Sequence, residues 1–257
     1  MAGVGNVLRL YDVGKKKLLR KCENRHLPSL IVTIDSMGDR IYVGDCQESF
    51  HFMRYKATDN EMYIYADDIL PRYITAALPL DYDTMAGADK FGNLFVTRLP
   101  AEVSSQVEDD PTGGKLVGVT GVLNGAPNKL SDIIQFHVGD TITSLQKAVM
   151  QPGGIEVMLH AGVMGAIGCM LPFTSREDVD FFSHLEMHLR QEHPPLCGRD
   201  HMAFRSAYTP VKEVIDGDLC EQFALLSTDL QRRIAEELDR TPGEVLKKLE
   251  DIRNRIL

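Results

Sequence analysis

The chain has 257 residues, enough for one or two hydrophobic cores. With 44% apolar and 25% charged residues it has the make-up of an ordinary globular protein. Its formal charge is −9 and its basic runs, Lys15-Lys16-Lys17 and Lys247-Lys248, are short. Phosphate binding draws on clustered cations, so protein partners are expected ahead of nucleic acid. Five scattered cysteines without a CxxC predict free thiols in a reducing compartment. No basic-then-apolar leader opens the sequence, and no apolar run approaches the ~20 residues of a membrane span. The sequence therefore reads as soluble and intracellular, with no membrane partner.

Val7, Arg9 and Tyr11 alternate with Leu8, Leu10 and Asp12, the period of a strand. Gly14-Lys15-Lys16 turns it, and Lys17 to Glu23 returns as a second strand. The pattern then repeats. Gly5 to Tyr11 is similar to Glu48 to Arg54 and to Gly92 to Arg98, at offsets of 43 and 44 residues. Val43-Gly44-Asp45 recurs as Gly87-Ala88-Asp89, and Leu27-Pro28 as Leu70-Pro71. A further copy follows in Gly139 to Leu145, Val157 to Ala161 and Gly165 to Leu171. A period of ~40–45 residues built from four short strands marks a propeller blade. Small residues at Gly87, Ala88, Ala161 and Gly162 suit strands that crowd inward. The count is two full blades, one interrupted blade and an opening half blade, too few to close a ring of 4–8. Such an array is expected to be only weakly stable by itself.

Pro100 to Ser131 interrupts the third blade and reads as an exposed loop, rich in Gly and acidic residues. Its Gly113-Gly114-Lys115 lacks the GxxxxGK spacing of a phosphate loop, and Leu116 stands where Ser or Thr is needed. Thr174 with Glu177 and Ser175 with Asp178 form overlapping capping boxes before a helix predicted over 176–191. Val179, Phe182, Leu185 and Leu189 make its apolar stripe, and Pro194-Pro195 ends it. Gly198 to Glu221 has little periodicity. Beyond it, Thr228 and Gln231 predict a helix with Leu230, Ile234 and Leu238 inward. Thr241-Pro242-Gly243-Glu244 starts a last helix lined by Val245, Leu249, Ile252 and Ile256. The fold class is thus mainly β, with WD40-like propeller blades over 1–173 carrying an exposed insertion at 100–131. A helical region with an irregular crossover occupies 174–257.

Catalytic and metal patterns are weak. His184 and His188 stand one helical turn apart, near His193, Cys197 and His201, but no HExxH or CxxC accompanies them. Cys197 as a nucleophile would need a paired base that spacing alone does not supply. Gly162, Gly165 and Gly168 are spaced GxxGxxG within strand-like sequence, which fits close strand packing better than a nucleotide loop. Asp81, Asp83 and Asp89 lack the spacing of a calcium loop and are expected to face solvent or a partner. The residues therefore predict a non-enzymatic scaffold without cofactor or metal.

His193 to Phe223 (HPPLCGRDHMAFRSAYTPVKEVIDGDLCEQF) closely resembles a segment of the triple-propeller scaffold family. That family includes the large cleavage-and-polyadenylation specificity subunit and damaged-DNA-binding protein 1. Its shared core is Phe204-Arg205-Ser206 with Ile215 to Leu219. Glu186 to Arg190, Leu80 to Thr84, Ala86 to Gly92 and Glu237 to Pro242 narrow the resemblance to the branch that serves in the splicing factor 3b complex. The resemblance implies the carboxyl-terminal part of three seven-bladed propellers, with Tyr208 to Ile215 crossing back to complete the first. It implies a nuclear scaffold of the U2 small nuclear ribonucleoprotein that supports branch-site recognition. The implied partners are the HEAT-repeat large subunit and a small subunit of that complex, with nucleic acid reached only through the assembly. Asp81, Tyr82, Asp83, Asp89 and Lys90 on one blade, and Lys212 in the crossover, are the candidate contact residues. Acidic Asp81, Asp83 and Asp89 suit a basic partner face. The alternatives are a related adaptor in 3′-end processing or ubiquitin ligation, or a truncated copy without function.

Overall fold

The computed structural model describes residues 1–110, 125–192 and 198–255. Among the described residues, fifteen strands fall into four sheets. The first contains β1 (Ala2–Val4), β2 (Val7–Val13) and β3 (Leu18–Asn24). The second contains β4 (Ile31–Met37), β5 (Arg40–Asp45), β6 (Phe50–Lys56) and β7 (Glu61–Asp67), with β11 (Asn128–Lys129) added in parallel at its outer edge. The third runs β8 (Ile74–Pro79), β9 (Thr84–Asp89), β10 (Asn93–Arg98) and β12 (Ser131–His137). The fourth contains β13 (Ile142–Val149), β14 (Glu156–Gly162) and β15 (Ile167–Met170). Apart from β11, all pairings are antiparallel. These are propeller-type blades, and the opening sheet has three strands rather than two, because Ala2–Val4 folds back on β2.

The cores lie between neighbouring sheets, as the two-residue period of a strand requires when both faces are covered. From β5, Ile41 and Val43 pack with Leu8, Leu27 and Met62 towards the first sheet, while Tyr42 joins Phe50, Phe52, Met85 and Phe95 towards the third. From β10, Phe95 faces back into that core, while Leu94 and Val96 meet Ile142 and Met158 of the fourth sheet. The small residues of the repeat are steric requirements. A Cβ on Gly87 would lie 2.5 Å from the Phe95 ring and 2.8 Å from that of Phe50.

The interruption of the third blade is not an exposed loop at its described ends. Residues Ala101–Asp109 form a helix, α1, with Val107 buried. The returning end docks on the second blade. There the Ala126 N–H donates to Asp67 at 3.0 Å, Asn128 donates to the Tyr65 carbonyl at 2.8 Å, and Leu130 is fully buried. Pairing with β7 supplies the backbone partners that buried polar groups need. The Gly113-Gly114-Lys115 stretch lies outside the described residues.

Helix α2 (Arg176–Glu192) buries Phe182, Leu185 and Leu189 as its stripe predicts, while Val179 stays 37% exposed. Short helices α3 (His201–Arg205) and α4 (Gly217–Glu221) follow, then a 3-10 turn (Gln222–Leu225), α5 (Thr228–Glu237) and α6 (Pro242–Asn254). The cap of α5 is Ser227, one residue ahead of the Thr228 expected from the capping-box pattern. The box at Thr241 and Glu244 is formed as predicted, with Pro242 inside the first turn. Apart from α3, these elements share one core around Phe182, Leu185, Phe223, Ile234, Val245 and Leu249. No described helix is long and apolar enough to cross a membrane. Of the cysteines, Cys22, Cys46, Cys169 and Cys220 are free, and Cys197 lies outside the described residues.

Candidate contact surface

The candidate residues on the third blade sit at opposite ends of β9. At one end, the 81–83 turn joins β8 to β9 and is tied into the second blade. Arg40 of β5, 1% exposed, donates to the Tyr82 carbonyl at 3.1 Å and to Ser104 of α1 at 2.9 Å, and pairs with the Asp83 carboxylate. Its guanidinium lies 3.9 Å from the centre of the Tyr82 ring. The Tyr42 hydroxyl donates to the same Tyr82 carbonyl at 2.8 Å. The Tyr82 hydroxyl in turn donates to Asp39 at 3.0 Å, which also accepts from Arg54 at 2.6 Å. Burial works to raise the Asp39 pKa, but the bonds from Arg54 and Tyr82 hold it below its ordinary value. Arg54 completes the knot with 2.8 and 2.9 Å contacts to the Val107 carbonyl and Glu108 of α1.

The expectation that the three aspartates face outwards therefore needs correcting. Asp83 is spent on Arg40 and on Ser104, which donates to it at 2.8 Å. Asp89 is 5% exposed and accepts from the Phe91 N–H at 2.9 Å, the Asn93 N–H at 3.1 Å and the Asn93 side chain at 2.8 Å. Asp45, its counterpart one repeat earlier, accepts from the Gln47 and Glu48 N–H groups and lies 3.1 Å from His51. The repeated aspartate is thus a turn holder, because the carboxylate replaces partners that the tight turn denies its N–H groups. Asp81 remains exposed, accepting from the Asp83 N–H and lying 4.0 Å from Arg98.

At the other end of β9, Lys90 is exposed and its ammonium sits 3.6 Å from the Tyr73 ring centre and 5.0 Å from that of Phe91. Tyr73 meets Phe91 edge-on at 5.7 Å, and Phe91 meets Tyr208 of the crossover at 5.2 Å. These three aromatic rings are 37%, 41% and 59% exposed. Tyr208 also packs on buried His137, whose pKa is lowered by burial and by the nearby Arg205 charge. Tyr73, Phe91 and Tyr208 escaped sequence reasoning, since single aromatics far apart in the chain carry no periodicity.

Lys212 clips the crossover to the third blade. Its backbone exchanges hydrogen bonds of 3.0 and 3.3 Å with Gln135 of β12, and its ammonium donates to the Asp132 carbonyl at 2.5 Å. Within the described residues this segment pairs with β12 through one isolated bridge. The crossover is held by Asp216, 2% exposed, which caps α4 through the Leu219 N–H. Asp216 also accepts from Arg205 at 2.5 Å and lies 2.7 Å from His201. Arg205 reaches on to the His137 and Val138 carbonyls at 3.2 Å. The Phe204-Arg205-Ser206 and Ile215-to-Leu219 runs are therefore two halves of one junction.

His184 and His188 line a shallow cavity of about 480 Å³ with Glu177, Asp180 and Glu244. Among the described residues no three His, Cys, Asp or Glu side chains converge as a metal site, and His193 and Cys197 lie outside them.

Known proteins match this chain along its whole length. It is 65% identical over 257 residues to spliceosome-associated protein 130 A of Arabidopsis thaliana, covering 100% of this chain and 21% of that protein. It is 59% identical over 257 residues to probable splicing factor 3B subunit 3 of Dictyostelium discoideum, covering 20% of that protein. Against splicing factor 3B subunit 3 of Danio rerio it is 57% identical over 255 residues, 99% of this chain and 21% of that one. The chain thus spans about a fifth of the length of these relatives. The carboxyl-terminal placement implied by the resemblance does not follow from these shares. The family described as CPSF A subunit region matches residues 1–225, from the first sheet through the Arg205–Asp216 junction, and the chain belongs to it.

Proposed function

We propose that this chain is part of a non-enzymatic scaffold in a nuclear splicing factor 3b assembly, supporting recognition of the intron branch site. The observation that carries this reading is the 54–65% identity to proteins named for splicing or the spliceosome in a plant, an amoeba, two animals and a fungus. A stack of blades whose cores lie between sheets leaves turns such as 90–92 at the surface to hold other proteins. The expected partners are the HEAT-repeat large subunit and a small subunit of that complex. Lys90, with Tyr73, Phe91 and Tyr208 around it, is the centre of the contact surface. Asp81 and the exposed edge of Tyr82 contribute from the opposite end of β9, and Lys212 from the crossover. Asp83 and Asp89 act by fixing the turns that present them. Buried aromatic anchors beside a charge are the usual hot spots of such interfaces.

The test is affinity purification of the tagged chain from nuclear extract, with mass spectrometry of what accompanies it. Recovery of splicing factor 3b subunits is expected. Recovery of polyadenylation or ubiquitin-ligase subunits without them would overturn the reading.

A further inference from the structure

We propose that the hairpin of β2 and β3 is a docking site for an acidic segment of a partner protein that carries apolar side chains beside its carboxylates. The hairpin turn is fixed. The Gly14 N–H donates to the Lys17 carbonyl at 3.1 Å, and a Cβ on Gly14 would lie 2.7 Å from that oxygen. Lys15, Lys16 and Lys17 are thereby held at the tip, all exposed. Behind them Val13 pairs directly across from Leu18, so both side chains share one face. Val13 is 89% exposed, Leu18 64% and Leu19 48%.

Charge sorts the possible occupants. In a chain of net charge −9, the stretch from Arg9 to Arg25 holds seven cations against Asp12 and Glu23. The arginines are already engaged, since Glu23 accepts from Arg9 at 3.2 Å, Arg20 at 3.1 Å and Arg25 at 2.5 Å. Lys21 lies 3.8 Å from Asp12. Among the described residues no carboxylate pairs with Lys15, Lys16 or Lys17. The planar forks that grip phosphate thus already share a carboxylate, and no exposed aromatic stands at the tip to stack a base. Lysines on an outer strand also guard against edge-to-edge pairing, which accounts for the cations but not for three exposed aliphatic side chains. An acidic, apolar segment covers both, with the lysines steering it and Val13 and Leu18 anchoring it. This proposal does not depend on the splicing reading.

Fluorescence anisotropy of the full chain tests it, with a fluorescein-labelled peptide alternating Glu with Leu, a labelled polyglutamate of equal charge, and a labelled oligouridylate. The alternating peptide is expected to bind most tightly, and more weakly as salt rises. The K15E/K16E/K17E variant is expected to lose at least about tenfold in affinity. V13S/L18S is expected to lose about fivefold for the alternating peptide alone. Both variants alter exposed side chains and should keep the thermal midpoint of the parent, which separates lost binding from lost folding. No binding of the alternating peptide, binding indifferent to both variants, or preference for the oligouridylate would overturn the proposal.

Discussion

The two turns at the ends of β9 differ in what the fold leaves them to do. The 81–83 turn carries two carboxylates and a tyrosine, and sequence alone makes it the more conspicuous binding surface. Arg40, Arg54 and α1 close on it from the second blade and the insertion, so most of its polar groups are satisfied internally. The 90–92 turn carries one lysine and one phenylalanine, yet Tyr73 and Tyr208 gather around them to make an exposed aromatic and cationic patch. Side chains at a turn contribute to binding only after the neighbouring blade has taken what it needs.

The sharpest way to break this contrast is Arg40→Ala. It leaves the Asp83 carboxylate, the Tyr82 carbonyl and Ser104 without their shared donor inside a packed site. Removing one partner of a buried pair costs about 3–5 kcal/mol, and Asp83, still partly exposed, puts this change at the lower end. Chemical denaturation should show that loss, and hydrogen exchange should show α1 released with it. Asp216→Ala comes next. It removes a helix cap and the carboxylate that Arg205 and His201 share, for an expected loss of about 2–3 kcal/mol. Exchange protection should fall at the crossover and α4 while the second blade keeps its own. Equal loss in both regions would mean that the junction and the blades unfold as one unit.

Much of this fold is legible in the sequence because its cause is local and repeated. The offsets of 43 and 44 residues give the blades, and the apolar runs Ile41-Tyr42-Val43 of β5 and Leu94-Phe95-Val96 of β10 are those of strands covered on both faces. The Thr241–Glu244 box needs only four residues to be recognised. What escapes depends on distance. Arg40 meets Ser104 across 64 positions, and Tyr208 joins Phe91 across a whole sheet. The ends of the insertion read as loop because α1 has one buried residue, Val107, and its Pro100 cap makes no side-chain hydrogen bond. Asp89 looked like a surface acid because its partners are backbone N–H groups, which leave no trace in composition.

A smaller effect is expected from pH in the helical region. Asp178 is held below its ordinary pKa of 3.8 by a 2.6 Å bond from Lys248 and a 3.1 Å contact from Arg255, against a burial effect that raises it. A carboxyl depressed in the folded state binds its proton more readily when unfolded, so its stabilisation is complete above the unfolded pKa. It is lost as pH falls through 3.8 towards the folded value. Asp178→Asn should therefore cost up to about 1 kcal/mol at neutral pH. It should cost progressively less in acid, as followed by helical circular dichroism. A cost that stays constant down to pH 2 would assign Asp178 a purely steric role.

The smallest effect on stability is expected where the effect on assembly is largest. Lys90, Phe91 and Tyr208 touch one another and solvent more than they touch the core. Exposed substitutions of this kind usually change stability by less than about 0.5 kcal/mol each. A variant carrying K90A, F91S and Y208A should melt near the parent temperature. In the same affinity purification it should recover far less of the splicing subunits, because an aromatic cluster around a charge makes contacts only when a partner covers it. Arg40→Ala sharpens the comparison from the other side, since it should lower recovery only in proportion to the folded fraction. If the triple variant melts early, the patch belongs to the fold, as the 81–83 turn does. If it melts normally and recovers its partners in full, the contact surface lies elsewhere on the blades.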